Sequence, residues 1–134
     1  EQLRIPNFGL ETVHHVHADD VAQMFMRAIA RRSAAIGEAF HTVSPAAVSL
    51  RGYAERMAAW FGREPDLAFL PWPEWKTHYD GATAQATFDH IAHSPNCSID
   101  KARAMLGYAP RYSSLEAVQE SVAWLIENGQ VKVA

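Results

Sequence analysis

Cysteine is nearly absent from this sequence, which contains one, Cys97, among its 134 residues. A single thiol excludes an internal disulfide framework and a cysteine-rich zinc module. Such sparse use of cysteine is typical of proteins in a reducing compartment, so we expect a cytoplasmic location.

Long apolar runs and an excess of basic residues are also lacking. No run approaches the roughly 18–20 residues of a membrane span, and no signal peptide is recognisable. The 12 basic and 15 acidic side chains give a formal net charge of −3, which argues against a nucleic-acid or anionic-membrane partner. Because the chain is 49% hydrophobic, it can bury the core of one domain over residues 1–134.

The seven glycines are scattered along the chain rather than clustered. No Gly-rich turn can therefore bring backbone N–H groups onto a phosphate, as a dinucleotide fingerprint or a phosphate loop does. No tyrosine is followed four residues later by lysine, and no serine lies in a nucleophile-elbow context. These absences argue against a self-contained nucleotide enzyme, and we predict no catalytic and no cofactor-binding residue in this chain.

Hydrophobic periodicity predicts a strand–helix–strand unit in the first third of the chain. Residues 12–18 (TVHHVHA) and 38–44 (EAFHTVS) have the composition of strands. Between them Asp19 is placed to cap a helix, because its carboxylate can accept the free N–H groups of the first turn. The apolar face of this helix is expected to comprise Val21, Ala22, Phe25, Ala28 and Ile29.

The middle third predicts a second amphipathic helix that begins after Ser49 and ends at Gly62. A brief strand is expected at Leu67–Leu70, just before a proline-rich stretch. Residues 74–93 are expected to be helical in pieces, with a break at Gly81.

The last third predicts two more helices. Ser98 is expected to cap the first, which Gly107 ends, and Ser113 forms a capping box with Glu116 before the second. Gly129 stops the final helix. Helices dominate and strands are few and short, so the predicted fold class is helix-rich α/β.

Seven histidines are the unusual feature of the composition. His14, His15 and His17 cluster before the first predicted helix, and His90 and His93 lie three positions apart. Neutral imidazoles bind zinc well, but these spacings match no zinc motif and no His-Glu-x-x-His pattern is present. We therefore predict no metal site and expect the histidines to form hydrogen bonds at a strand edge or to line a cleft.

Two pairs of polar residues have both a chemical and a structural interpretation. Asp19 and Asp20 could form a paired-carboxylate site, but adjacent residues at a helix start face different directions, which favours capping and dipole compensation. Cys97 near His93 could serve as a thiol nucleophile, but no third, orienting group is evident.

The aromatic pair Trp72 and Trp75 flanks Pro73. Large rings at this spacing serve either as an aromatic wall for a ligand or as filler of a core or an interface. The sequence leaves both interpretations open.

Four segments carry motifs in a fixed order: residues 16–22 (VHADDVA), 37–43 (GEAFHTV), 48–63 (VSLRGYAERMAAWFGR) and 98–110 (SIDKARAMLGYAP). They resemble the motifs V-H-V-D-D-V-A, G-E-x-Y-N-V, S-L-R-E-L and S-K-A-R-x-x-L-G-Y-x-P of the extended short-chain dehydrogenase/reductase family. This family contains the NAD(P)-dependent sugar-nucleotide epimerases and dehydratases. The resemblance spans residues 13–126 and matches only the C-terminal, substrate-binding portion of the family.

The resemblance implies that an N-terminal Rossmann domain, with the glycine fingerprint and the catalytic Tyr and Lys, is missing from these 134 residues. The chain would form the substrate side of the cleft without activity of its own, and NAD(P) would belong to the full-length parent. That parent would transfer hydride between NAD(P) and a sugar-like substrate. An exposed apolar patch, at Phe25, Tyr53 or the Trp72–Trp75 segment, is expected where the missing domain packs, and homodimerisation would also cover it.

Two arginines of many sugar-nucleotide members have no counterpart here. The Arg of the family's R-D-Y-I-H-V-D-D segment falls on Val13 and its Tyr on His15, and the Arg of an R-P-G-D stretch is also missing. Because bidentate arginine commonly holds a diphosphate, we expect another sugar or a smaller carbonyl compound as substrate. The predicted substrate-binding residues are His15 and His17, in place of the lost contacts, together with Trp72 and Trp75.

Two other functions are alternatives. The first is a stand-alone interaction or scaffold module that retains the fold without enzymatic activity. The second is a small metal-dependent hydrolase that uses the histidines, which metal analysis of the purified protein would test. A Gly-rich strand–helix unit and a Tyr-x-x-x-Lys motif encoded upstream of Glu1 would favour the enzyme fragment over the interaction module.

Overall fold

Helices make up most of the regular structure in the computed structural model, which describes residues 2–132. In chain order the elements are β1 (Leu3–Pro6), β2 (Thr12–Val13), α1 (Ala18–Ala30), α2 (Arg32–Ala35), β3 (Val48–Ser49), α3 (Leu50–Trp60), β4 (Leu67–Leu70), α4 (Trp72–Trp75), a 3₁₀ turn (Lys76–His78), α5 (Gly81–Ile91), α6 (Asp100–Leu106) and α7 (Ser114–Glu127). Many helices with few, short strands confirm the predicted helix-rich α/β class.

The described residues divide into two compact units, each built from two stretches of chain. Unit 1 comprises residues 2–13 and Val48–Asn96, and it contains β1 to β4 with α3, α4 and α5. Unit 2 comprises His14–Ala47 and residues 97–132, and it contains α1, α2, α6 and α7. The strands therefore lie in unit 1, whereas unit 2 consists of helices joined by irregular segments.

The strands of unit 1 form two small sheets. β1 pairs with β4 in parallel, with Leu3 opposite Leu67 and Pro6 opposite Leu70. β2 pairs with β3 in the antiparallel direction. The strand predicted at Leu67–Leu70 is thus confirmed, and its partner is the first strand of the chain.

Both strands predicted around the first helix differ from the structure. Of residues 12–18 only Thr12–Val13 belongs to a sheet, and residues 38–44 form no strand. The Ser44 N–H donates to the His15 carbonyl over 3.2 Å, but no ladder follows. Side chains instead form hydrogen bonds with the backbone carbonyls of this segment. Tyr108 Oη donates to the Val43 carbonyl, the His14 ring to the Ser44 carbonyl and Lys101 Nζ to the Ala39 carbonyl. Because these carbonyls already accept hydrogen bonds from side chains, they need no partner strand, and the segments are irregular.

Most predicted helix ends are confirmed. The Ser49 side chain caps α3, and Ser113 with Glu116 forms a complete capping box at α7. Gly62 directly follows the C-cap of α3. Gly107 ends α6 at a φ of +70°, a left-handed conformation in which a residue with a Cβ would be strained.

Two predicted helix boundaries are wrong, and a third is shifted by one residue. Asp19 is not the N-cap of α1, because His17 takes that position. Ile99 is the N-cap residue of α6, but the Ser98 hydroxyl accepts the Asp100 N–H at the start of this helix over 3.0 Å. Gly81 is not a break but the first residue of α5. His17 can replace a carboxylate as the cap because its Nδ1 also accepts a backbone hydrogen bond.

Each unit buries its own core. The buried apolar residues of unit 1 include Ile5, Val13, Ala54, Trp75, Ala84 and Ile91. Those of unit 2 include Met24, Ile99, Ala102, Leu106 and Tyr108.

α1 is helical as predicted, but its buried face is not the predicted one. Met24 is buried, and Ala28 packs against the core of unit 2. Phe25 and Ile29, which the periodicity places on the same apolar face as Ala28, are largely exposed. The helix therefore carries a second apolar stripe in addition to the one that packs.

Candidate functional site

The ring of His17 lies at the start of α1, where both of its nitrogens have partners. Nδ1 accepts the Asp19 N–H over 3.1 Å, and Nε2 lies 3.0 Å from a carboxylate oxygen of Glu120 on α7. Because Nδ1 accepts, the proton of the neutral ring sits on Nε2, which donates to Glu120. The ring also stacks on Tyr112, with 3.8 Å between centroids. His17 thus holds the start of α1 against α7.

The two aspartates that follow have different environments. Asp20 is fully buried and accepts the backbone N–H groups of Arg111 over 2.9 Å and Tyr112 over 3.1 Å. Asp19 is exposed, and one of its carboxylate oxygens lies 3.0 Å from the guanidinium of Arg111. Asp20 anchors the segment before α7 to the first turn of α1. This arrangement supports a structural interpretation of the pair over the acid–base interpretation.

The first two histidines of the cluster lie in an irregular segment of unit 2. His14 Nδ1 accepts the Cys97 N–H over 3.2 Å, so its Nε2 carries the proton and donates to the Ser44 carbonyl over 2.9 Å. The His15 carbonyl accepts the Ser44 N–H and, over 3.4 Å, the hydroxyl of Ser114. His14 therefore plays the hydrogen-bonding role that the sequence favours for these histidines.

A surface groove of about 790 Å³ lies beside His17 in unit 2. Carboxylates at Asp19, Glu120 and Glu127 line it, together with the largely exposed ring of Trp124. Several carboxylates in one groove repel phosphate and other anions. The groove therefore suits an uncharged or cationic group and not a diphosphate.

Trp75 and Trp72 belong to an aromatic cluster of unit 1. Trp75 is buried, and its indole N–H donates to the Arg4 carbonyl over 2.9 Å. Trp72 stacks on Trp75 at 5.2 Å between centroids, and Tyr79 stacks on Trp75 at 4.3 Å. Trp72 is half-buried and also contacts Phe88 at 5.4 Å. Trp75 thus fills the core, whereas Trp72 keeps part of its ring available to a ligand.

A cavity of about 450 Å³ is lined by β1, α3 and α5 in unit 1. Its volume suits a ligand of small-molecule size, and its walls are mainly apolar. The polar side chains are those of Arg4, Tyr53, Thr87 and His90. The hydroxyl of Tyr53 is protonated at neutral pH, and burial raises its pKa further.

Sequence reasoning does not identify this cavity as a site, although part of the signal is present. On α3, Leu50, Tyr53 and Ala54 follow the spacing of one helix face. On α5, Thr87 and Ile91 lie one turn apart and also line the cavity. Whether such a face meets a core or an open space depends on packing that the spacing does not encode.

The four predicted substrate-binding residues are divided between the units. His15 and His17 belong to unit 2, and Trp72 and Trp75 belong to unit 1. Their contact with a substrate stays a prediction. Within residues 2–132 no three His, Cys, Asp or Glu side chains are grouped closely enough to hold a metal ion. In the same part of the chain, no helix combines the length and the apolar character needed to cross a membrane.

Comparisons with known proteins give a structural likeness and a short sequence match. No family model matches the sequence. A stretch of 34 residues, 25% of this chain, is 53% identical to the uncharacterized protein y4nL of Sinorhizobium fredii (strain NBRC 101917 / NGR234) and covers 10% of that protein. The whole chain superimposes on 36% of the crystal structure of UDP-glucuronic acid 4-epimerase from Bacillus cereus in complex with NAD, with a TM-score of 0.65 and 16% identity. The chain therefore shares the fold of part of that epimerase and spans 36% of its length.

Proposed function

We propose that this chain is the substrate-binding portion of an NAD(P)-dependent epimerase, dehydratase or reductase that acts on a sugar-like substrate. It would have no activity by itself. The observation that carries the proposal is the superposition of the whole chain on 36% of an NAD-bound epimerase. The ordered motifs of the sequence support the same family, and we propose that residues 1–134 act as one substrate-binding region.

The longer helices of residues 2–132 are poorly suited to bind the phosphates of a dinucleotide. Phosphates commonly bind at free helix N-termini, where backbone N–H groups point outward. In the longer helices among the described residues, a capping side chain already accepts an N–H group of the first turn, and in several of them a carboxylate adds negative charge there. These residues are His17 with Asp19 and Asp20 at α1, Ser49 at α3, Asp80 at α5, and Ser113 with Glu116 at α7. NAD(P) would therefore be held by another portion of the parent enzyme.

The substrate contacts offered by this chain would come from the unit 1 cavity and from Trp72. An apolar wall with a few hydroxyl and imidazole groups suits the mixed surface of a sugar, which has C–H faces and hydroxyl edges. Tyr53 supplies a protonated hydroxyl in that wall. His17 is less suited to binding, since both ring nitrogens have partners within unit 2.

A stand-alone interaction module is the second candidate. The observation that favours it is the exposed apolar stripe of α1, because such stripes commonly mark contact surfaces. An upstream reading frame without a Gly-rich strand–helix unit or a Tyr-x-x-x-Lys motif would favour this candidate.

Titration of NAD and of free sugars, with nucleotide sugars for comparison, tests the proposal in two proteins, the 134-residue chain and the natural protein that contains it. We expect calorimetry to detect no NAD binding to the chain, and both NAD binding and turnover in the natural protein. In the natural protein, Trp72→Ala should raise KM with little change in kcat, whereas Phe8→Ala, which removes an exposed ring of unit 1, should change neither. Tight NAD binding or turnover by the 134-residue chain would contradict the proposal.

A further inference from the structure

α1 has two apolar faces, and only one of them is covered in this chain. Met24 and Ala28 pack into the core of unit 2. On another side of the helix, Phe25 and Met26 are each 66% exposed and Ile29 is 70% exposed. Their spacing places these three residues on one stripe, which we call the α1 stripe.

Small apolar residues extend the α1 stripe towards the start of the helix. Ala18 and Ala22 precede it at helical spacing, and Ala18 also lines the groove beside α7. The cation of α1, Arg27, falls on a different side of the helix. The exposed apolar surface therefore extends along the whole helix without a charge at its centre.

Burial of the α1 stripe against a partner would be favourable. Full burial of a Phe, Met or Ile side chain is favourable by comparison with exposure, because apolar area leaves water. Monomeric soluble proteins seldom leave several such side chains exposed side by side. The α1 stripe thus has the composition of an interface core, whose rim would be the polar residues around it.

We infer that the α1 stripe is the docking surface for the cofactor-binding portion of the parent enzyme. This inference rests on the proposed function and adds to it the face through which the two portions join. The occupant follows from length: the whole of this chain matches 36% of the NAD-bound epimerase, so most of that enzyme has no counterpart here. Of the three candidate patches in the sequence, Tyr53 lines the cavity, and the Trp72–Trp75 segment has one buried and one half-buried ring, so the α1 segment at Phe25 is the most exposed of the three.

Cysteine labelling tests this inference in the natural protein and in the 134-residue chain. In a Cys97→Ser background, Ile29→Cys places one thiol on the α1 stripe, and Ala104→Cys places a control thiol at an exposed position of α6. In the chain both thiols should react quickly with a maleimide. In the natural protein the thiol at position 29 should react at least about tenfold more slowly, while the control thiol keeps its rate.

Each other outcome overturns the inference in a distinguishable way. If the natural protein binds NAD but the thiol at position 29 stays fully reactive, the docking surface is wrong and the proposed function stands. If the natural protein neither carries nor recruits an NAD-binding portion, both proposals fail. If the 134-residue chain itself protects that thiol as its concentration rises, and light scattering shows a dimer, a second copy is the occupant.

Discussion

Each unit is centred on a buried aromatic residue whose polar atom donates to a backbone carbonyl. In unit 2, Tyr108 Oη donates to the Val43 carbonyl over 3.1 Å, and in unit 1, Trp75 Nε1 donates to the Arg4 carbonyl over 2.9 Å. Tyr108 belongs to a mainly aliphatic cluster, with Phe40 packed against it. Trp75 stacks on other rings instead, and Arg4 also lines the cavity of about 450 Å³.

The core around Tyr108 is closed, because none of its residues lines the groove beside α7, whereas Ile5, Ala54 and Ile91 of the unit 1 core line the cavity. A closely packed core resists changes in volume and holds its helices in fixed positions. A core beside a cavity can admit a ligand and can relax when a side chain is removed. We therefore expect stability and docking to depend mainly on unit 2, and small-molecule contacts to lie mainly in unit 1.

The largest expected effects come from truncating the two central rings. Tyr108→Ala should lower the free energy of unfolding by about 4 kcal/mol, and Trp75→Ala by about 3 kcal/mol, because the unit 1 core, in which Ile5, Ala54 and Ile91 line the cavity, relaxes more easily. Urea unfolding followed by circular dichroism measures both. If Tyr108→Ala does not fold, Tyr108→Leu gives the same comparison against Trp75→Leu. A larger loss from the Trp75 variant would contradict the distinction between the two cores.

The buried carboxylate of unit 2 gives the next effect. Asp20→Asn should lower the free energy of unfolding by about 2–3 kcal/mol, because the amide group cannot accept from both N–H donors that the carboxylate serves. The matched control is Asp19→Asn, whose exposed ion pair with Arg111 should contribute less than about 1 kcal/mol. If Asp20→Asn and Asp19→Asn lower the free energy of unfolding equally, the burial of Asp20 does not make its contribution to stability larger than that of Asp19.

Alkaline pH tests the same unit through Tyr108. Burial and the nearby charge of Asp20 raise the pKa of Tyr108 from 10.0 to about 12. Because the folded state holds this proton more tightly than the unfolded state, the stabilisation is complete below pH 10 and is lost as the pH rises to about 12. Tyr108→Phe should remove this part of the alkaline loss in urea titrations.

Tyr53→Phe in unit 1 is the control for that titration. Burial raises the pKa of Tyr53 too, so this variant should remove a smaller part of the alkaline loss. If the two variants change the pH profile equally, Tyr108 has no special role.

Sequence patterns are sufficient where a local interaction decides the structure. Ser49, Ser113 and Gly107 mark helix ends because caps and left-handed turns need particular residues at particular positions. Strands are harder to predict, because a strand exists only when a distant partner completes its ladder. At residues 38–44 side chains complete the backbone hydrogen bonds instead.

The candidate site is predictable only in part for a related reason. Trp72 and Trp75 have the same residue type and lie in one short segment, yet one is half-buried and the other fills the core. The hydrogen-bonding role expected for the histidines is seen at His17, whose ring caps α1 and contacts Glu120, while its contact with a substrate stays a prediction. The cavity arises from the packing of β1, α3 and α5, which no local spacing encodes.

The smallest expected effect compares one cap from each unit. Ser113→Ala and Ser49→Ala should each lower the free energy of unfolding by about 1 kcal/mol, since each hydroxyl accepts a backbone N–H of the first helical turn. The loss should be larger at Ser113, because the Glu116 carboxylate returns a bond to the Ser113 N–H and depends on the same geometry. Ser33→Ala, at an exposed position of α2, is the control and should change stability by less than about 0.5 kcal/mol. If Ser49→Ala lowers the free energy of unfolding more than Ser113→Ala does, the reciprocal bond from Glu116 adds no stability. Unit 1 would then depend on the Ser49 cap more than unit 2 depends on the Ser113–Glu116 capping box.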